Sequence, residues 1–113
     1  MDEFHFLSVS EEEIEREKRK ARELRRTQWW KNRRGQGRCH YCQQAIPARE
    51  LTMDHVVPLV RGGKTVKSNV VPCCKDCNSQ KKYLLPLEWE EHLERLRQQS
   101  AGQLEEPPGE QPC

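Results

Sequence analysis

Ser10 with Glu13 three residues later reads as a capping box, and Glu11 to Arg34 then runs through strong helix formers without Gly or Pro. The pattern predicts one long helix, acidic in its first turns and basic in its last, as the helix dipole favours. At about 24 residues it would be roughly 36 Å long, yet its apolar positions are few: Ile14, Ala21, Leu24, Trp29 and Trp30. The two tryptophans are expected to dock it onto the rest of the chain. Ile14, Ala21 and Leu24 sit at seven- and three-residue steps, which favours a seam with a second copy, a homodimer, over a helix lying along another partner.

Arg34-Gly35-Gln36-Gly37 breaks that helix. Leu51 to Val57 alternates as a strand does, and Val66 to Pro72 offers a second strand, with Arg61-Gly62-Gly63-Lys64 in the connection. A two-stranded ribbon is expected. Lys75 to Leu84 reads as a short helix that Leu85-Pro86 stops. Pro86 to Gln99 is amphipathic, with Trp89, Leu93 and Leu96 on one face, and reads as a packing helix over the ribbon. Gly, Pro, Gln and Glu dominate 100–113, so that stretch is expected to be disordered. The fold class is therefore α+β, with a charged helix and linker at 1–38, a compact unit at 39–99 and an acidic tail at 100–113.

Composition limits what such elements can bury. The chain has 113 residues, 34% hydrophobic and 34% charged, so burial alone makes a poor core, and a metal, disulfides or a partner chain usually supplements it at this size. Cys39-His-Tyr-Cys42 and Cys74-Lys-Asp-Cys77 supply the means. Each CxxC forms a knuckle with two thiolates on one side of a turn, and two knuckles close a four-cysteine Zn2+ site with no open position. Disulfides are the rival reading for six cysteines in a short chain. The N-terminus has no cationic region followed by an apolar run and no stretch is long enough to span a membrane, which favours a reducing, cytoplasmic setting. Cys73 competes with Cys74, but only Cys74 has two residues between it and Cys77, leaving Cys73 as a buried thiol and His40 as a bystander.

The net charge of +2 hides an uneven distribution. Arg16 to Arg38 holds eleven Lys or Arg against two Glu, Cys39 to Leu85 seven against three acids, and Pro86 to Cys113 two against seven. A basic body with an acidic tail points to a polyanionic partner; a solvated helix surface is the plainer alternative.

Between the knuckles the residue types turn from soft to hard. Asp54 and Asn78 offer oxygen ligands that suit Mg2+ or Mn2+ and compete poorly for zinc. His55, beside them, is a natural base for water. Taken singly, His55 also fits a strand histidine, Asn69 a turn residue and Asn78 a helix cap.

Taken together, Asp54-His55-Val56-Val57-Pro58-Leu59, Gly62-Gly63, Asn69-Val70-Val71-Pro72, Cys74, Cys77-Asn78 and Lys81 resemble the core of the HNH endonucleases, in the zinc-ribbon form of the ββα-metal fold. The resemblance spans about Cys39 to Lys82. It implies that His55 activates the attacking water, that Asp54 binds the catalytic ion, and that Asn69 orients the base by holding its backbone or ring. The family's last position is often His and here is Asn78, an HNN variant with a neutral, weaker ligand that favours Mn2+ or Mg2+ over Zn2+ or Ni2+. Arg61, Lys64, Lys67, Lys75, Lys81 and Lys82 ring the site and are expected to meet phosphates without sequence preference. The reading is a DNA endonuclease that nicks one strand per site; a non-catalytic zinc module binding nucleic acid and an assembly adaptor built on the end helices are the alternatives.

Overall fold

The structure, a computed structural model, describes residues 9–105. Ser10 caps the first helix, α1 (Glu11–Arg25): its hydroxyl accepts from the Glu13 N–H at 3.1 Å while Glu13 Oε1 accepts from the Ser10 N–H at 3.3 Å. The helix does not run on to Arg34. Thr27 ends it, donating its hydroxyl to the Leu24 carbonyl at 2.6 Å and accepting from the Trp30 N–H at 3.2 Å, which starts α2 (Gln28–Gly35). A threonine with two bonds of this kind ends one helix and starts the next without glycine or proline. The bend serves packing: Trp30 is buried to 1% exposure and α2 packs on the second strand, whereas α1 packs on the turn at Leu59–Arg61.

The sheet is an antiparallel pair, β1 (Thr52–His55) and β2 (Val70–Cys73), with Thr52 opposite Cys73 and His55 opposite Val70. Both strands are shorter than the alternation predicts because Asn69 takes over where the ladder would continue. Its carbonyl accepts from the Val56 N–H at 2.9 Å and its Oδ1 accepts from the Val57 N–H at 2.9 Å. Gly62 and Gly63 are both required in the connection. Gly62 has φ 97°, and a Cβ on Gly63 would overlap the Val57 carbonyl.

Helix α3 (Lys75–Lys81) leaves the second knuckle and stops at Lys82, where φ is 46°; α4 starts at Pro86 and runs to Glu105, beyond the Gln99 end expected. The expected disorder therefore does not begin at residue 100, and 106–113 lie outside the described residues. Trp89 anchors α4: buried to 3%, it meets the Tyr41 ring edge-on at 5.5 Å and stacks on His92 at 5.4 Å. Among the described residues the result is a mixed α+β fold of four helices and one two-stranded sheet, with the four cysteines positioned for a zinc site. Among the described residues no helix is long and apolar enough to cross a membrane.

Of the three residues in the helix stripe expected to seal a dimer, Ile14 and Leu24 are half-buried. Ala21 is buried to 3%, and Ile14 lines a cleft beside β1 with Leu59 and Val60.

Candidate active site

The structural half of the site comes from the two knuckles. The sulfurs of Cys39, Cys42, Cys74 and Cys77 all lie within 4.8 Å of one another, with Cys42 and Cys74 at 3.9 Å. Four thiolates at about 2.3 Å from one tetrahedral ion would sit about 3.8 Å apart, so the arrangement fits zinc. The Cys74 N–H donates to Cys39 Sγ at 3.4 Å and the Cys77 N–H to Cys74 Sγ at 3.5 Å. Burial and neighbouring sulfurs push Cys42 and Cys77 up. Burial acts the same way on Cys39, but backbone N–H groups of Cys42, Cys74 and Tyr41 outweigh it and bring that thiol down to about 7. Cys73 is fully buried, bonds the Cys74 carbonyl at 3.3 Å and stands apart from the four; His40 lies against the Tyr41 ring instead of the sulfurs.

The second half lies where β1, α3 and α1 meet. A cleft of about 270 Å³ is lined by Asp54, His55, Asn78 and Lys82, with Ile14 and Lys18 of α1 on its wall. Neighbouring strand residues face opposite sides of a sheet, which separates the surroundings of Asp54 from those of His55.

Asp54 is buried to 8% exposure. Its Oδ2 accepts from the Tyr41 hydroxyl at 2.7 Å and pairs with Lys81 Nζ at 3.2 Å. Oδ1 has no hydrogen-bond partner among the described residues. Burial first, and then the bond to Asp54, hold the Tyr41 phenol far above its ordinary pKa, so it remains a donor. Asn78, one residue after Cys77, is exposed, and its side-chain amide has no partner among the described residues. One free carboxylate oxygen and one free amide make a sparse, hard donor set, suited to Mg2+ or Mn2+ carrying water and weakened by the ammonium beside Asp54.

His55 is half-buried. Burial pushes its pKa below the ordinary imidazole value, against the opposing pull of Asp54 and Glu17, which favours the neutral ring. Its Nε2 lies 2.9 Å from Thr65 Oγ1. Asn69 does not touch the ring: its Nδ2 donates to the carbonyls of Val57 at 3.1 Å and Lys64 at 2.9 Å, clamping the loop that leaves the histidine.

Residues 39–94 match the family model for HNH endonuclease. This segment belongs to that family. Compared with the curated proteins, the chain has no match. The HNH segment contains both knuckles, Asp54, His55, Asn69 and Asn78, and stops short of α1 and α2.

The cations expected around the site are not alike. Lys81 is fully buried: besides Asp54 it reaches the His55 carbonyl at 3.1 Å and the face of the Tyr41 ring at 5.8 Å, so it holds the site together instead of meeting phosphate. Arg61 is tied to Glu88 at 3.2 Å and to the Tyr83 carbonyl at 3.0 Å, bracing α4. Lys67 stands over the Trp29 ring at 5.3 Å, as does Arg33 at 5.5 Å. Lys64, Lys75 and Lys82 are exposed and without ion pairs among the described residues.

Three contributors escape a reading of the motif. Tyr41 sits inside the first knuckle, where only the cysteines draw notice. Thr65 is an unremarked loop residue. Glu17 carries one faint signal, being one of two acids among eleven basic residues between Arg16 and Arg38.

Proposed function

We propose that the chain is a metal-dependent DNA endonuclease that hydrolyses single phosphodiester bonds with little sequence preference, residues 39–99 forming its zinc-bound nuclease domain. The observation that carries this reading is the convergence of Asp54, His55 and Asn78 on one cleft inside the HNH segment. Asp54 and Asn78 would hold a hard divalent ion, Mn2+ or Mg2+, which neutralises charge on the phosphate and the leaving oxygen when bound. Zinc on the four cysteines would be structural.

His55, in its neutral form, takes the proton of a water as that water attacks phosphorus in line. Asn69 keeps the loop after His55 in place through three bonds to backbone, a positioning role. Lys81 pairs with Asp54 and orients its carboxylate. Exposed Lys82 and Lys18 on the cleft rim, together with exposed Lys64 and Lys75, meet phosphates and give affinity that falls with salt. Nothing in this set reads base edges, so binding is expected to follow the backbone.

A non-catalytic nucleic-acid-binding module has one observation in its favour: Lys81 already occupies Asp54 Oδ2, and the other ligand is a neutral amide. Supercoiled plasmid incubated with protein and Mn2+ separates the two. Accumulation of nicked circles, lost in His55→Ala while bound zinc and helix content stay unchanged, is the expected result. Plasmid binding without any metal-dependent nicking would leave the module instead.

A further inference from the structure

Thr65 is buried to 8% and held twice by a residue 48 positions earlier in the chain. Its N–H donates to Glu17 Oε1 at 2.6 Å, and its hydroxyl donates to the Glu17 carbonyl at 2.8 Å. Glu17 itself is buried to 4% on an otherwise charged, solvated helix, with Lys20 at 3.3 Å on its other oxygen. A threonine hydroxyl has one proton, and a carbonyl can only accept, so that proton belongs to Glu17. The 2.9 Å bond to His55 Nε2 must then run from the ring to the hydroxyl. Nε2 carries the proton, and Nδ1, which has no partner among the described residues, is left as the nitrogen with a free lone pair.

We propose that Thr65, gripped by Glu17 of α1, is a positioning residue that fixes the tautomer and orientation of the His55 ring, making the N-terminal helix a working part of the active site. Residues from two regions meet here. Thr65 lies in the HNH segment, but Glu17 lies outside residues 39–94, so the family match alone does not include the clamp. The step it serves is a simple proton transfer: water gives one proton to Nδ1 while its oxygen forms the new bond to phosphorus, and the P–O ester bond breaks with its electron pair on the departing oxygen, which takes a proton from solvent. The ring ends protonated on both nitrogens, with Nε2–H still bonded to Thr65. Bulk water takes the proton away.

This proposal rests on the nuclease reading for its catalytic meaning, but its geometry can be tested separately. The full chain with zinc bound is compared as wild type, Thr65→Val, which keeps the shape and removes the hydroxyl, and Thr65→Ser, which restores it. Single-turnover nicking of supercoiled plasmid in Mn2+ is measured alongside plasmid affinity. The expected result is a rate constant lower by about 10-fold or more in Thr65→Val with affinity unchanged, and recovery to within about 3-fold in Thr65→Ser. Long-range proton–nitrogen NMR, with the His55 signals identified by their loss in His55→Ala, reads the tautomer of the wild type directly. A ring proton on Nε2 is expected.

A wild-type ring protonated on Nδ1 overturns the proposal, as does a Thr65→Val protein that nicks at the wild-type rate. Should Thr65→Val not fold, the wild-type spectrum still decides the tautomer. Should the wild type fail to nick at all, the nuclease reading falls, and with it the catalytic role of the clamp; the spectrum then reports on the ring contact alone.

Discussion

At the scale of single residues, Lys81 changes most between motif and molecule. A lysine one turn beyond Asn78 in a basic stretch reads as a phosphate contact, yet it is fully buried against Asp54, Tyr41 and the His55 carbonyl. A buried ammonium is tolerated when a carboxylate and further acceptors meet it, and removing one partner strands the other. Lys81→Met should therefore destabilise the folded chain by about 3–5 kcal/mol, read as a lower urea midpoint with unchanged slope. A variant as stable as the wild type would mean that Asp54 finds compensation elsewhere. Asn78 was legible from its place after Cys77. The inward turn of Lys81 was not, because burial depends on the aromatic ring and the strand that close over it.

At the scale of elements, α1 is held less by apolar area than by one buried carboxylate. Glu17 is kept below the ordinary carboxylate pKa of 4.5, chiefly by the Thr65 N–H, with burial opposing and Lys20 and Lys64 assisting. A depressed pKa means that the folded state binds fewer protons, so this stabilisation is present above about pH 4.5 and is lost as the pH falls through the folded value. Acidification below 4.5 should weaken the wild type more than Glu17→Gln, which has no such proton to gain. Urea midpoints followed between pH 6 and pH 3 would check this, since acid loss of zinc contributes a slope common to both proteins. Parallel curves would remove Glu17 from the account.

At the scale of the whole molecule, the core is organised around sulfur. The central cluster holds Cys39, Cys73, Cys74 and Cys77 with only Leu51 and Trp89 as large buried apolar partners. Such a core is too small to stand on area burial alone, whereas structural zinc contributes on the order of 10–16 kcal/mol in small metal-dependent folds. Treatment with a tight zinc chelator should unfold the HNH segment in one transition. Trp89, which packs on that cluster from α4, should lose its buried fluorescence in the same step, and readdition of zinc should restore it. Retention of near-ultraviolet circular dichroism after complete zinc removal would refute a metal-dependent core.

By itself the sequence determined what is local: the capping box at Ser10, the two knuckles, the glycine pair, the strand and helix types, and the residues with oxygen and imidazole chemistry between the cysteines. These follow from backbone preference and spacing, which act over a few residues. Only the tertiary structure decided what depends on faces meeting across the chain. It bent the N-terminal helix at Thr27 so that Trp30 and Glu17 could each reach a different part of the domain. It turned Lys81 inward to Asp54 and set Glu17 on Thr65 beneath His55. A carboxylate in a solvated helix and the same carboxylate clamped on a backbone N–H are identical in sequence; burial and a partner 48 residues away make the difference.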